Sequence, residues 1–463
     1  MNKLLVRRKK NTILKKLIID VASCDFSRRC GPHEIIEYQV NWHYRNPKLY
    51  FHIIKAIVFF IIKSRKLSNI LNYSIEGVNI GLPAYSTAVR HFKVYDSKTY
   101  LYYSVFKQLI SAVRLYFFSI KIIQEAQKNS GELVVYIDDI AYLNSILFDS
   151  LMKAEVGVYS SKYPHGFLFY KNKKFTTLSV TQYEYPKIIV SDEKYHSYME
   201  KRLRSPQEFI PYFHANPTKK LKTHKTKVSS EQTILVYAHS FTDSQLVYGY
   251  DGFLNMYEWL EFTLKTLTDQ NVTIIVKGHP NFWGNYYETE VMEWDRKLWN
   301  RIKDTYKESK NITFINYPIT NKDQLDLLDP KNTVVISHHG NAAVEAAYLG
   351  FKSISSSCSP WGSEYYSFDH TWSTREQYKE LLCNLENVRC ADAVKLKNFA
   401  SDRYIYKASF HGKLVWFSIL ANEIGVSPRD INVKPTIVTK DKFTDYEASV
   451  RKISLAIHEL PDT

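Results

Sequence analysis

Short apolar runs rich in β-branched residues alternate with helical patterns through most of the chain. Residues 101–128 have the apolar spacing of a long helix, whereas residues 133–137, 156–159 and 187–191 are typical of buried strands. Strands that alternate with helices predict an α/β fold with a parallel, doubly wound sheet. In such sheets, ligands bind outside the carboxyl ends of the strands.

A second alternating block follows a lysine-rich stretch. Residues 216–231 contain five lysines and almost no apolar side chain, which is typical of a linker. The strands predicted after it are 233–237, 272–276, 312–315 and 333–336. We therefore expect two Rossmann-like domains with a cleft between them, at residues 67–215 and 232–400.

Extensions are predicted at both ends of the chain. Residues 1–20 fit a basic amphipathic helix that can lie on an anionic membrane surface, or a solvated basic terminus. Residues 50–62 are too short to span a bilayer, so they predict a buried core helix, with interfacial docking as the alternative. The N-terminal extension comprises residues 1–66, and a C-terminal helical extension comprises residues 401–463.

The charge of the chain restricts the class of its partners. Its 463 residues include 62 Lys and Arg against 47 Asp and Glu, which favours anionic partners such as nucleotides, anionic lipids, acidic glycans or nucleic acid. The 35 Tyr and 25 Phe residues are spread through apolar runs, and this indicates core packing instead of nucleic-acid binding.

The cysteines and the N-terminus indicate the compartment. The five cysteines form no CxxC pair, which favours a reducing environment and argues against a zinc site. The basic N-terminus lacks the long apolar core and small-residue cleavage site of a secretory signal. We therefore expect a cytoplasmic protein.

Three polar loops follow predicted strands of the second block. Their sequences are HSFTD at 239–243, KGHP at 277–280 and SHHGN at 337–341. In a parallel sheet these loops meet at one edge, and their imidazoles, ammonium, hydroxyls and backbone N–H groups suit a nucleotide phosphate. The candidate nucleotide-binding residues are His239, Asp243, Lys277, His279, Pro280, Ser337, His338, His339, Gly340, Asn341 and Glu345.

These candidates have separate expected roles. Lys277 and His279 would neutralise phosphate oxygens, and Ser337, with Gly340 and Asn341, would form a cradle at a helix N-terminus. Glu345, one turn into that helix, would accept hydrogen bonds from ribose. The alternatives are an ordinary βα unit with loop histidines, or a metal site built from the four histidines, for which no ligand spacing is present.

The second block resembles the nucleotide-binding half of bacterial capsule and surface-polysaccharide glycosyltransferases of the GT-B fold. This group includes relatives of the capsule transferases that use CMP-activated 3-deoxy-octulosonic acid. The matching residues are the His279–Pro280 dipeptide with Lys277 nearby, and the S-x-x-G-x-x-x-x-E pattern from Ser337 to Glu345. Residues 75–90 and the strand ending at 138–139 are similar more weakly, so the resemblance covers about residues 70 to 390.

The resemblance implies a transferase that moves a sugar from a nucleotide-sugar donor to a growing bacterial surface polysaccharide or lipid-linked glycan. The acceptor would bind residues 67–215, and the donor residues 232–400. Asp139, Asp138 and then His165 are the candidate bases of an inverting reaction. In related CMP-sugar transferases a glycine follows the acidic pair, whereas Ile140 stands here.

The same resemblance implies that no divalent metal or other cofactor is needed, because fixed positive groups would stabilise the leaving phosphate. The basic N-terminus followed by an apolar but non-spanning run predicts that residues 1–66 hold the protein on the inner face of the cytoplasmic membrane, where lipid-linked acceptors lie. Two alternatives share the fold: a nucleotide-sugar 2-epimerase, and a non-catalytic peripheral scaffold of polysaccharide export.

Overall fold

The computed structural model describes a defined set of residues in two compact units. The described ranges are 46–128, 141–161, 191–204, 232–243, 245–279, 290–316, 319–359 and 370–400, with Phe282 and the strand segments 3–8, 17–20, 34–39, 133–137 and 167–170. The first unit comprises residues 1–87, 105–178 and 406–463, and the second comprises residues 88–104 and 179–405.

The strands fall into a mixed sheet in the first unit, a parallel sheet in the second, and one short hairpin. They are β1 (Lys3–Arg8), β2 (Leu17–Asp20), β3 (Glu34–Gln39), β4 (Ser74–Ile75), β5 (Val78–Asn79), β6 (Leu133–Ile137), β7 (Gly157–Ser161), β8 (Phe167–Tyr170), β9 (Thr233–Tyr237), β10 (Thr273–Lys277), β11 (Ile312–Ile315), β12 (Thr333–Ser337), β13 (Lys352–Ser356) and β14 (Thr371–Trp372).

Helices alternate with these strands, and short 3₁₀ turns occur at Leu67–Asn72 and Leu385–Asn387. The helices are α1 (Pro47–Lys63), α2 (Gly81–Ala88), α3 (Lys93–Asp96), α4 (Lys98–Lys128), α5 (Asn144–Lys153), α6 (Asp192–Arg204), α7 (Met256–Thr268), α8 (Glu290–Thr305), α9 (Asn321–Leu325), α10 (Ala342–Tyr348), α11 (Arg375–Cys383) and α12 (Ala393–Ala400).

The sheet of the first unit has the order β3-β1-β2-β6-β7-β8 and is only partly parallel. Strand β6 pairs in parallel with β2 and β7, whereas β1 is antiparallel to β2 and β3, and β8 is antiparallel to β7. The predicted amphipathic helix over residues 1–20 is therefore wrong, because this stretch supplies β1 and β2. The mixed pairing also replaces the fully parallel sheet expected for this half of the chain.

Helix α1 is the predicted helix of the apolar run at residues 50–62. Asn46 caps it by accepting from the Lys48 amide, and Pro47 occupies its first turn. Leu49 and Ala56 are buried in a cluster with residues of α4 and the β4–β5 hairpin. Six large apolar side chains of the helix are exposed, so the prediction of a buried core helix holds for one face only. They are Tyr50, Phe51, Ile54, Val58, Ile61 and Ile62.

The sheet of the second unit is parallel throughout, with the order β11-β10-β9-β12-β13-β14. Counted along the chain from β9, this is the strand order 3-2-1-4-5-6 of the doubly wound dinucleotide-binding fold. The chain turns from one side of β9 to the other at β12. The predicted α/β, Rossmann-like fold is confirmed for this unit.

Alternating side chains of the central strand β9 pack into two layers. Ile234 and Val236 join a core with Trp259 of α7 and Trp299 of α8, among other residues. Leu235 and Tyr237 face the other layer, where Leu325 and Phe351 pack. Burial on both faces is what the continuous apolar runs of these strands predict.

Several predicted segments lie outside the described residues. They are the linker at 216–231, the strand segment 187–190 and the C-terminal extension 401–463. In the described part of the chain, no helix combines the length and apolarity that crossing a bilayer requires.

Candidate functional site

The three predicted loops converge at the carboxyl edge of the parallel sheet of the second unit. Strands β10, β9 and β12 lie side by side, with Tyr237 paired in register with both Lys277 and Ser337. The loops that follow these strands therefore begin side by side along one edge of the sheet. That edge includes the point between β9 and β12 where the strand order reverses, which is where doubly wound folds bind ligands.

Four histidines from the three loops form one cluster. The His239 ring centre lies 3.9 Å from that of His339 and 5.4 Å from that of His279. The rings of His338 and His339 are 5.1 Å apart and nearly perpendicular. The structure thus brings together imidazoles that are separated by up to 100 positions in the sequence.

A buried carboxylate anchors one side of this histidine cluster. Asp251 has an exposed fraction of 0 %, and its Oδ2 lies 2.9 Å from Nε2 of His338. The same oxygen accepts a hydrogen bond from the Ser356 hydroxyl at the end of β13. Burial raises the pKa of Asp251, but His338, Ser356 and the Phe253 amide together outweigh burial, and the net pKa lies below its usual value.

The chain of contacts continues from His338 to His339. The two Nδ1 atoms are 3.0 Å apart, which is a hydrogen-bond distance. Nε2 of His339 is buried and has no hydrogen-bond partner among the described residues. Such an unsatisfied buried group costs on the order of 1–3 kcal/mol, so a ligand that supplied a donor here would recover that free energy.

Three imidazoles of the histidine cluster, those of His239, His279 and His339, are neutral near pH 7. Removal from water, with a smaller effect of neighbouring imidazoles, lowers the pKa of His239 to about 4 and that of His279 to about 3. Asp243 opposes both shifts, and the Ser240 carbonyl opposes that of His239. Burial, with the other three imidazoles, holds the pKa of His339 well below its usual value. His279 therefore offers a hydrogen bond instead of the positive charge predicted for phosphate binding.

Lys277 belongs to a second network of largely buried polar side chains. Its other members are Asn321 of α9 and Glu345 of α10. Only 7 % of Lys277 is exposed, and its Nζ donates to Asn321 Oδ1 at 2.5 Å. Asn321 in turn donates to the Glu345 carboxylate. Burial lowers the pKa of Lys277 to about 7, against the opposing effect of Glu345 and Asp323. Lys277, which is predicted to bind phosphate, and Glu345, which is predicted to bind ribose, are thus joined to each other through Asn321.

The loop at 239–243 is fixed by a carboxylate from α8. Asp295 accepts hydrogen bonds from the Ser240 hydroxyl at 2.6 Å, the Phe241 amide at 2.9 Å and the Thr242 hydroxyl at 2.8 Å. Asp243, at the end of the loop, lies on the surface with Oδ1 3.6 Å from Arg90 Nη2. The His239 ring is therefore carried on a segment that is held in place without a ligand.

The loop after β12 is tight. A Cβ atom at Gly340 would lie 2.8 Å from Ser337 Oγ, so a side chain at this position would require the Ser337 hydroxyl to move. Ser337 is buried and Asn341 is exposed at the start of α10. Helix α10 has only seven residues, which limits the dipole that the predicted phosphate cradle would use.

Some predicted site residues lie outside the described part of the chain. They are Pro280, the candidate bases Asp138 and Asp139, and His165. Their roles stay predictions.

Four residues of the site were not predicted from the sequence: Asp251, Asp295, Asn321 and Ser356. Asp251 follows the turn residues of a YGYDG stretch, but nothing in that stretch indicates a partner 87 positions later. Asp295 lies in an amphipathic helix whose pattern indicates no loop contact, and Asn321 begins a helix of only five residues. Only the strand order brings these side chains to the loops.

The histidines do not adopt a metal-binding arrangement. Among the described residues, no three His, Cys, Asp or Glu side chains are placed to hold one ion. The expectation that no divalent metal is needed stays a prediction.

Comparison with known proteins gives structural likeness only. The sequence matches no protein-family model and no curated protein. A trehalose-6-phosphate synthase is 9 % identical with a TM-score of 0.31, over 61 % of this chain and 60 % of that one. The chain thus spans less than two thirds of that protein.

Two further structures are similar at the same level. The UDP-GlcNAc 2-epimerase of Methanocaldococcus jannaschii is 12 % identical with a TM-score of 0.29, over 70 % of this chain and 96 % of that one. HepE of Anabaena in complex with UDP-glucose is 11 % identical with a TM-score of 0.27, over 84 % and 98 %. The evidence for the Rossmann-like fold is the strand order, and not these likenesses.

We predict that acid destabilises the protein through the histidine cluster. A folded-state pKa near 3 for His279, against an ordinary value of 6.5, means that the unfolded chain binds more protons between those values. The free energy of unfolding should therefore be fully retained above pH 6.5 and fall below it, by about 1.4 kcal/mol per pH unit for each such histidine.

The His279→Gln variant should show a shallower fall, by the contribution of one histidine, in urea unfolding followed by tryptophan fluorescence from pH 8 to pH 4. The range above pH 7 is the internal control, where variant and parent should have the same pH dependence. Equal slopes below pH 6 would show that His279 titrates normally.

Proposed function

We propose that the protein is a nucleotide-sugar-dependent glycosyltransferase of the GT-B type. The observation that carries the proposal is the convergence of the three loops at the strand-order reversal beside β9, with Lys277, the histidine cluster and Glu345 around it. The S-x-x-G-x-x-x-x-E pattern and the His279–Pro280 dipeptide support the same class. The donor nucleotide binds the second unit at this edge.

The proposed reaction is inverting transfer to a growing bacterial surface polysaccharide or lipid-linked glycan. A carboxylate or imidazole removes the proton of an acceptor hydroxyl as its oxygen attacks the anomeric carbon. The bond from that carbon to the phosphate oxygen breaks, and the nucleotide leaves with the negative charge. Asp139 or Asp138 is the proposed base, with His165 next, and Lys277 is the proposed cation of the donor site.

The donor site is tested by nucleotide binding. Glu345→Ala removes a charged hydrogen-bond partner, and should weaken binding by about 1.5–3 kcal/mol, or roughly 10- to 150-fold. His279→Ala removes a neutral partner and should cost about 0.5–1.5 kcal/mol. Calorimetric titration with CMP, UDP, GDP and CDP measures both and identifies the nucleotide.

The control for the donor-site variants is Glu293→Ala on α8, whose carboxylate is exposed and contacts Lys297 one turn away. It should bind as the parent does. Parental affinity in both site variants would place the nucleotide elsewhere.

The base is tested by transfer. Replacing the base by Asn keeps its shape and removes the proton acceptor, so turnover should drop by about 10²- to 10⁴-fold with donor affinity intact. A carboxylate that only caps a helix should lose little, because Asn caps as well as Asp. Asp138→Asn, Asp139→Asn and His165→Ala are assayed side by side.

Parental transfer by both Asn variants would exclude this pair, and a selective loss in His165→Ala would move the role there. A changed sugar isomer formed from the donor alone would instead identify a 2-epimerase. If the protein neither binds nor converts any nucleotide-sugar donor, the non-catalytic scaffold of polysaccharide export would be favoured.

We propose that the enzyme works at the inner surface of the cytoplasmic membrane, and that the exposed face of α1 contacts anionic lipid. Ile54 and Ile61 of that face are 60 % and 68 % exposed. Residues 38–75 contain no Asp or Glu, and exposed Lys48, Lys55, Lys63, Arg65 and Lys66 flank the apolar face. An apolar stripe beside basic side chains suits the boundary between acyl chains and anionic headgroups.

We predict that Ile54→Gln with Ile61→Gln lowers binding to phosphatidylglycerol-containing liposomes at least tenfold in a flotation assay. Full burial of one such side chain contributes roughly 1.5–3 kcal/mol, so loss of two partly inserted ones exceeds 1.4 kcal/mol. Added salt should also weaken binding, because exposed charges are screened.

Val394→Gln is the control, since Val394 is 67 % exposed on α12 in the other unit. Equal binding of parent and double variant would remove α1 from the interface. A parent that dimerises, and a double variant that does not, would assign the face to a second copy of the chain.

A further inference from the structure

For a His338 that carries one proton, the heavy-atom contacts assign the hydrogen positions along the Asp251–His338–His339 chain. An ionised carboxylate only accepts hydrogen bonds, so the 2.9 Å contact with Asp251 requires a proton on Nε2 of His338. A neutral imidazole has one proton, and Nδ1 of His338 is then a bare acceptor.

The next contact places the proton of His339. Two ring nitrogens 3.0 Å apart share one proton, and with Nδ1 of His338 bare, Nδ1 of His339 donates it. Nε2 of His339 is then also bare. A doubly protonated His338 would reverse this, because its Nδ1–H would donate and leave the proton of His339 on Nε2.

The surroundings of His339 fit a ligand that supplies a hydrogen. Its exposed fraction is 7 %, and Nε2 has no partner among the residues that the structure describes. Its ring packs against His239 and, at 4.9 Å between centres, against the ring of Tyr248. Neither neighbour is a cation at neutral pH, since the pKa of His239 is about 4.

We propose that Asp251 and His338 are positioning residues that hold His339 as a neutral acceptor at Nε2. The histidine cluster then binds a hydroxyl or N–H group of the nucleotide sugar, and not its phosphates. The second statement rests on the proposed function, whereas the first concerns the protein alone. It differs from the phosphate role that the sequence predicts for this loop, because an acceptor repels phosphate oxygens.

The proton positions are tested without a ligand. In the ¹⁵N spectrum of the full-length protein labelled at histidine, protonated and bare ring nitrogens have different chemical shifts. At pH 7 we expect His338 to carry its proton on Nε2 and His339 on Nδ1. The signals are assigned with the single variants His338→Asn and His339→Asn. A proton on Nε2 of His339, or two on His338, would overturn the proposal.

The ligand chemistry is tested by calorimetry with UDP-glucose, GDP-mannose and CMP-N-acetylneuraminic acid, and with inorganic pyrophosphate as a charge-only probe. His339→Asn keeps an amide N–H near the position of Nδ1 and removes the Nε2 acceptor. It should lower the affinity for the nucleotide sugar that binds the parent at least tenfold and leave pyrophosphate binding unchanged. An equal loss for pyrophosphate would return the cluster to phosphate binding.

Asp251→Asn separates positioning from general structural support. If Asp251 acts through His339, the Asp251→Asn change should weaken nucleotide-sugar binding in the parent background and cause no further loss in the His339→Asn background. The same loss in both backgrounds would contradict the relay. Ser356→Ala, which loosens Asp251 and keeps its charge, replaces Asp251→Asn if that variant folds poorly.

The two levels of the proposal fail separately. If none of the nucleotide sugars binds the parent protein, the proposed function is wrong, and the ¹⁵N spectrum still decides the proton positions. If a nucleotide sugar binds but the protons are placed otherwise, the proposed function stands and the relay is wrong.

Discussion

Parallel pairing of β9 with both β10 and β12 is the constraint on which the candidate site depends. Because the chain builds the sheet first to one side of β9 and then to the other, the loops after these three strands open at one edge. Segments as distant as His239 and His339 thereby share a small volume. No local feature of the loops could assemble the site if this pairing were different.

Burial at that edge dictates how the polar groups are used. A buried charge is costly unless hydrogen bonds compensate it. Asp295 meets three donors from one loop, and Asp251 meets an imidazole and a hydroxyl. His239, His279 and His339 reduce the same cost by staying neutral. The edge therefore carries directed hydrogen bonds more than net positive charge, although the chain as a whole has a formal charge of +15.

The sequence predicted the elements that burial on both faces defines, and missed those that depend on distant partners. The strands around β9 are continuous apolar runs, so their type and order of appearance were clear. Residues 1–20 have apolar and basic positions that fit either a helix or strands, and the pairing of β2 with β6 decides between them. The sequence pattern likewise shows that α1 is apolar, but it does not show which face of the helix packs against the core. Asp251 was missed because its role exists only through His338.

Lys277 gives the site a property beyond recognition. Its amine has a pKa of about 7, so both protonation states are populated in neutral solution. An anion that settles near Nζ stabilises the ammonium form and draws a proton from the buffer. Binding of the anion would then be accompanied by uptake of a hydrogen ion, and the measured heat would depend on the buffer that gives up the proton.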